Sequence, residues 1–185
     1  MTAGDEQVTL LSEENLHVEL TGNPLDVLSI MNRVRSPKAG AIVFFAGAAT
    51  ITSRRQLGKG LWKLLMPVSG TTRDTFGSKP VKQLQYSSYT PMALSSMMRI
   101  AKDVKQKHGL TAVAMIHRLG VVPIGEESIL IAVSSPHRQA AWKGGEEALE
   151  LVKEKVEIWK LEEFDGEEGG VWRANRDGQS GTKIR

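Results

Sequence analysis

Residues 111–138 read TAVAMIHRLGVVPIGEESILIAVSSPHR, and their pattern decides the fold class. TAVAMIHRLG (111–120) and SILIAVSS (128–135) are apolar runs of strand length, rich in β-branched residues. VVPIGEE between them carries Pro123 and Gly125 and reads as a turn. A connection this short cannot hold a crossover helix, so the two strands pair antiparallel.

Downstream, a helix is expected from Pro136 to about Val156, after which EIWKLEEF (157–164) is extended. Upstream, Met92, Leu94, Met97, Met98, Ile100, Ala101 and Val104 recur at helical spacing between Pro91 and His108, and Gly109 stops that helix. VKQLQYSSY (81–89) alternates as a strand, and AGAIVFFAG (39–47) is a glycine-bounded buried strand. HVELT (17–21) is a further short strand. A short helix follows it, capped at Asn23-Pro24 and ending near Ser36-Pro37. Strands and helices are interspersed while several strand pairs are joined by turns alone. The class is therefore α+β with a mixed or antiparallel sheet and packed helices, not a doubly wound parallel sheet. Residues 1–15 read as a flexible N-terminal tail, 16–172 as one domain, and 173–185 as a flexible C-terminal tail.

The 185 residues hold no cysteine, which removes disulfides, Cys-ligated metals and Cys nucleophiles together. No apolar run approaches the roughly 20 residues of a membrane span, and the acidic start lacks the layout of a secretory or transit signal. A soluble, cytosolic protein is expected. The net charge of +3 is local. Segment 48–70 holds Arg54, Arg55, Lys59 and Lys63 and no acid; without them 20 basic residues face 21 acidic ones. A nucleic-acid binder carries a basic face built into its fold, so that class is disfavoured.

In AVSSPHRQA (132–140), Ser135 stands where a helix cap belongs and Pro136 at the first helical position. His137 and Arg138 then fall in the first turn, beside free N–H groups and the positive end of the helix dipole. That arrangement makes an anion pocket; the plainer account is a solvated helix start. Lys153 and Lys160 are seven residues apart near the other end of the helix, although the β-branched VEIW run stops the helix before Lys160. Glu150, Glu154 and Glu157 around Lys153 also fit an ordinary charged surface. Arg73 in TTRD is an anion-contact position, and His117 reads as a buried, hydrogen-bonded histidine. Four scattered histidines give no metal site, and there is no nucleophile elbow, P-loop or dinucleotide fingerprint. Gly144-Gly145 costs a helix roughly 1 kcal/mol per glycine, which close approach of another segment would explain.

Taken together, GAIVFFAG, TTRDTF, QYSSYTPMA, AMIHRLGVVPIGEESILIAVSSPHR and VKEKVEIWKLEEF resemble the catalytic (large) subunit of molybdopterin synthase, in its eukaryotic wording, from about Leu16 to Trp172. The resemblance implies an α/β hammerhead fold and a sulfurtransferase. Such an enzyme converts cyclic pyranopterin monophosphate into molybdopterin by installing a dithiolene. The sulfur arrives as a thiocarboxylate on the C-terminal glycine of a small ubiquitin-like subunit. The implied assembly is a heterotetramer built on a homodimer of large subunits, and no cofactor is implied. The family's essential lysines fall on Lys153 and Lys160, its His-Arg pair on His137 and Arg138, its loop arginine on Arg73, and its substrate-contact strip extends to Leu161 and Glu162.

Two departures stand out. The family's YEAY reads YSSY here, and the 23 residues of segment 48–70 separate Gly47 from Thr71, which the family joins almost directly. That segment reads as an atypical insertion or a retained intron, outside the working enzyme. The rival reading is a non-catalytic scaffold that binds a ubiquitin-like tail; retention of both lysines speaks against it.

Overall fold

A computed structural model describes residues 9–50, 72–73, 75–76, 79–164, 170–174 and 182–184. The elements run β1 (Leu10–Glu13), β2 (Leu16–Thr21), α1 (Val27–Arg33), β3 (Ala41–Thr50), β4 (Thr72–Arg73), β5 (Thr75–Phe76) and β6 (Lys79–Ser88). Then come α2 (Thr90–His108), β7 (Ala112–Arg118), β8 (Gly120–Pro123), β9 (Glu127–Ser135), α3 (Arg138–Lys155), β10 (Ile158–Phe164), β11 (Gly170–Ala174) and β12 (Thr182–Ile184). The class is α+β, as the antiparallel reading of 111–138 requires: β7 and β9 pair antiparallel from Ala112↔Ser134 to His117↔Ile129.

The first sheet has the order β1-β2-β7-β9-β3-β4, and only β2–β7 and β3–β4 are parallel. Alternation along its strands builds a core on each face. Val113, Met115, Ile129, Ile131, Val133, Val43 and Phe45 pack on one side against Leu94, Met97, Ala101, Ala148 and Val152 of α2 and α3. Ala112, Ala114, Ile116, Leu130 and Ala132 pack on the other side with Ile30 and Val34 of the α1 region. The second sheet has the order β12-β11-β10-β6-β5, with β8 also paired to β6. A single residue, Leu119, carries the chain from β7 in the first sheet to β8 in the second, which opens on Gly120 at a positive φ of 78°.

Five expectations change. The stretch read as an N-terminal tail supplies β1, because Leu10–Glu13 can pair with the otherwise free edge of β2. Within 173–185, Thr182–Ile184 pair with Gly170–Trp172. VVPIGEE is a strand at its start: Val121 and Val122 pair with Gln85 and Leu84, and the turn is left to the residues after Pro123. The cap of α1 is Asp26 and not Asn23, because it is the Asp26 carboxylate that reaches the N–H groups of Leu28 (2.9 Å) and Ser29 (3.3 Å). Of segment 48–70, Ala48–Thr50 complete β3, and Ala49 and Thr50 pair with Thr72 and Arg73. The rest of the segment lies outside the described residues.

The glycine pair in α3 has a packing reason. A Cβ at Gly144 would stand 2.8 Å from Leu110, and one at Gly145 would overlap the Phe45 ring. Gly145 thus lets the helix lie close to Phe45 of β3, and Gly144 leaves room for Leu110 beyond the end of α2.

Candidate functional site

β10 alternates, and its register divides the candidate strip between two faces. Lys160 stands opposite Tyr86 and Glu162 opposite Leu84 on β6. Residues directly opposite share a face, so Ile158, Lys160 and Glu162 lie with Leu84, Tyr86 and, through β8, Val122. This is the inward face: Ile158, Leu84, Tyr86 and Val122 are all buried. Lys160 Nζ is 3.5 Å from Glu162 Oε1, and their side chains are 20% and 9% exposed. The sequence pattern hid this, because a lysine and a glutamate at alternate positions look like a solvent face. Leu161 has the opposite orientation, in the row of Gln85 and Trp172. Of the strip Lys160–Glu162, the two charged members therefore share one face, and Leu161, itself buried, has the other.

Lys153 lies half-buried in the last turn of α3, where its charge also suits the negative end of the helix dipole. Val156 closes the helix, and the Ile158 N–H donates to the Val156 carbonyl at 2.8 Å. This tight return sets the helix end carrying Lys153 next to the strand carrying Lys160. The helix stops before Lys160, as the β-branched run demands.

The other end of α3 differs from expectation. Ser135 remains in β9, paired with Ala41, and its carbonyl accepts the Gly40 N–H at 3.0 Å. A cap's carbonyl accepts the first intrahelical bond, and with that of Ser135 taken by Gly40 the helix starts two residues later, with an extended His137 as N-cap, its carbonyl accepting the Ala141 N–H, and Arg138 as first helical residue. The Ser135 hydroxyl accepts the His137 N–H at 3.4 Å, and no side chain caps the first turn of α3. His137 and Arg138 are exposed. Helix rise separates Arg138 from Lys153 by about 22 Å along α3. Within one chain, the His-Arg pair and the lysines therefore form two separate loci. Arg73 is in β4, backbone-paired with Thr50 at the far edge of the first sheet.

Two further buried residues adjoin this strand: Tyr86, opposite Lys160, and His117, against the Tyr86 ring. His117 is fully buried, donates from Nδ1 to the Arg118 carbonyl at 2.8 Å, and meets the Tyr86 ring edge-on with centroids 4.9 Å apart. Burial, only partly offset by that hydrogen bond, lowers its pKa from 6.5 to about 4, so the imidazole is neutral at physiological pH. Arg118 is paired with Glu126 across the turn after β8. A buried histidine was legible at 117; its juxtaposition with Tyr86 arises only when β8 folds onto β6.

The profile of the MoaE protein family matches residues 65–155. The molybdopterin synthase catalytic subunit of Sclerotinia sclerotiorum is 61% identical over 174 residues, covering 94% of this chain and 77% of that one. Among solved structures, molybdopterin synthase from Staphylococcus aureus superposes with a TM-score of 0.66 at 29% identity, covering 83% of this chain and 94% of that one. The protein–protein complex of subunits 1 and 2 of the Helicobacter pylori molybdopterin-converting factor gives a TM-score of 0.58 at 18% identity. That match covers 81% of this chain and 86% of its counterpart, and bears on the fold alone.

Proposed function

The chain belongs to the family of molybdopterin synthase catalytic subunits, and from that membership we propose the reaction and the roles of its residues. It is a sulfur-transferring enzyme of molybdenum cofactor biosynthesis. Its substrate is cyclic pyranopterin monophosphate, and the sulfur is delivered on the thiocarboxylated C-terminal glycine of a small ubiquitin-like subunit. The observation that carries this reading is the identity of 61% across 94% of the chain. The Lys160–Glu162 pair on the inward face of β10 and Lys153 at the adjoining helix end supply a site for it.

Once the thiocarboxylate sulfur is bonded to the pterin, water adds to the acyl carbon and the C–S bond breaks, leaving a thiolate on the pterin and a carboxylate on the glycine; the tetrahedral intermediate between carries negative charge on oxygen. A positioned ammonium stabilises that charge in the transition state more than in the ground state. Lys153 has this role, and Lys160 holds the anionic ends of substrate and partner tail, with its direction set by Glu162. Arg73 adds a guanidinium for phosphate, and Leu161 contributes backbone contacts. His137 and Arg138 form an anion pocket for the pterin phosphate. Because about 22 Å of helix separates them from Lys153, a pterin cannot span both loci of one chain. The pocket is therefore completed by a second large subunit, within a heterotetramer of two large and two small subunits in the cytosol. No helix among the described residues is long and apolar enough to cross a membrane.

The test supplies the purified chain with thiocarboxylated small subunit and cyclic pyranopterin monophosphate, and follows molybdopterin. Product formation is expected from the wild-type chain. Binding of the small subunit with no product from a folded protein would show the scaffold reading to be right.

A further inference from the structure

The buried face behind Lys160 holds an aromatic pair that the sulfur-transfer chemistry does not itself require. We propose that Tyr86, braced by His117, is a positioning residue for Lys160: its ring walls one side of the lysine stem and fixes where the ammonium points. This rests on the reading of Lys160 as a site residue.

Three observations carry it. Tyr86 is directly opposite Lys160 in the β6–β10 register, which places their Cβ atoms about 4.5–5.5 Å apart on one face of the sheet. Tyr86 is itself immobilised: it is 5% exposed, and His117, 0% exposed, meets its ring at 4.9 Å and 70°. On its other flank the opposite residue of β8 is Gly120, which has no side chain to compete with His117 for the ring. The imidazole is in turn tied to the Arg118 carbonyl at 2.8 Å. A lysine stem has four rotatable bonds, so an ammonium without lateral walls samples many positions. Glu162 attracts the tip at 3.5 Å, and the Tyr86 ring restricts the stem. The neutral state of His117 suits this arrangement, because a second cation behind the ring would repel the ammonium it helps to place.

The experiment is a cycle of single-turnover rates with saturating thiocarboxylated small subunit, comparing wild type, Tyr86→Leu, Tyr86→Phe, Lys160→Ala and the double variant Tyr86→Leu/Lys160→Ala. Melting temperature and small-subunit affinity are recorded for each. Tyr86→Leu is expected to slow transfer about tenfold or more, with Tyr86→Phe restoring most of the rate because the ring remains. In the Lys160→Ala background, Tyr86→Leu is expected to cost nothing further, since a residue that acts only through Lys160 has nothing left to position. The proposal is overturned if Tyr86→Leu is as fast as Tyr86→Phe, or if it costs the same factor in both backgrounds, which marks a general structural role. If Tyr86→Leu does not fold, His117→Leu carries the same test, with a slowing of about threefold expected only where Lys160 is present. A normal rate in Lys160→Ala would instead sink the site assignment on which the proposal stands.

Discussion

At the residue scale, the assignment of Lys153 has the sharpest consequence. Lys153 belongs to no apolar cluster and is half-buried, so Lys153→Ala should fold and bind the small subunit normally. Its rate of molybdopterin formation should fall about a hundredfold or more, the usual cost of losing an oxyanion-stabilising group; near-normal turnover would reassign the role. His117 makes a separate prediction in pH. Its folded pKa of about 4 lies below the 6.5 of an unfolded histidine, so between those values the unfolded chain binds the additional proton. Its contribution is complete above pH 6.5 and is lost as pH falls toward 4, a change of up to about 3 kcal/mol. His17, also lowered by burial, acts in the same direction. Urea unfolding of His117→Gln across pH 4–7 should show a flatter slope than wild type; an unchanged slope would assign the pH dependence elsewhere.

At the element scale, α3 shows what patterns read and what they miss. Its existence, its Gly-Gly pair and its stop before Lys160 were all visible in the residues. Its start slipped two residues, because the strand pairing with β3 engages the Ser135 carbonyl that a cap would need, and ladder pairing is not a local property. The glycines yield a test: Gly145→Ala gains helix propensity but forces a methyl into the Phe45 ring. Overpacking of about 1–3 kcal/mol should therefore outweigh the gain and lower the melting temperature. A raised melting temperature would show that Phe45 yields freely. The 48–70 segment sets a second test, with its edge redrawn to leave Ala48–Thr50 in β3. Deleting 51–70 should leave the sheet's centre folded but release β4 from β3, because a parallel pair needs a long crossover connection and Thr50 would then run straight into Thr71. Turnover is expected at or above that of the full chain. A folded but inactive deletion variant would mean that the segment places Arg73.

At the scale of the whole molecule, the two ends of α3 cannot serve one pterin within one chain. If a second copy completes the pocket, chains carrying Lys153→Ala and chains carrying Arg138→Ala should complement each other. Random mixing of two inactive variants then restores about a quarter of wild-type activity, since half the dimers are mixed and each has one intact pocket. No recovery would place both loci in a single-chain site. Sequence by itself determined the class of fold and the kind of residue at each position. Strand length, helical spacing and short turns are local features, and local sterics and hydrophobic alternation follow from neighbours along the chain. Which face each charge occupies was decided only by tertiary structure. Lys160 and Glu162 look like solvent residues until β10 pairs with β6 and presents them to the buried side. Tyr86 and His117 meet only because the chain crosses from one sheet to the other at Gly120. Cross-strand register depends on partners far away in sequence, and no local window of residues encodes them.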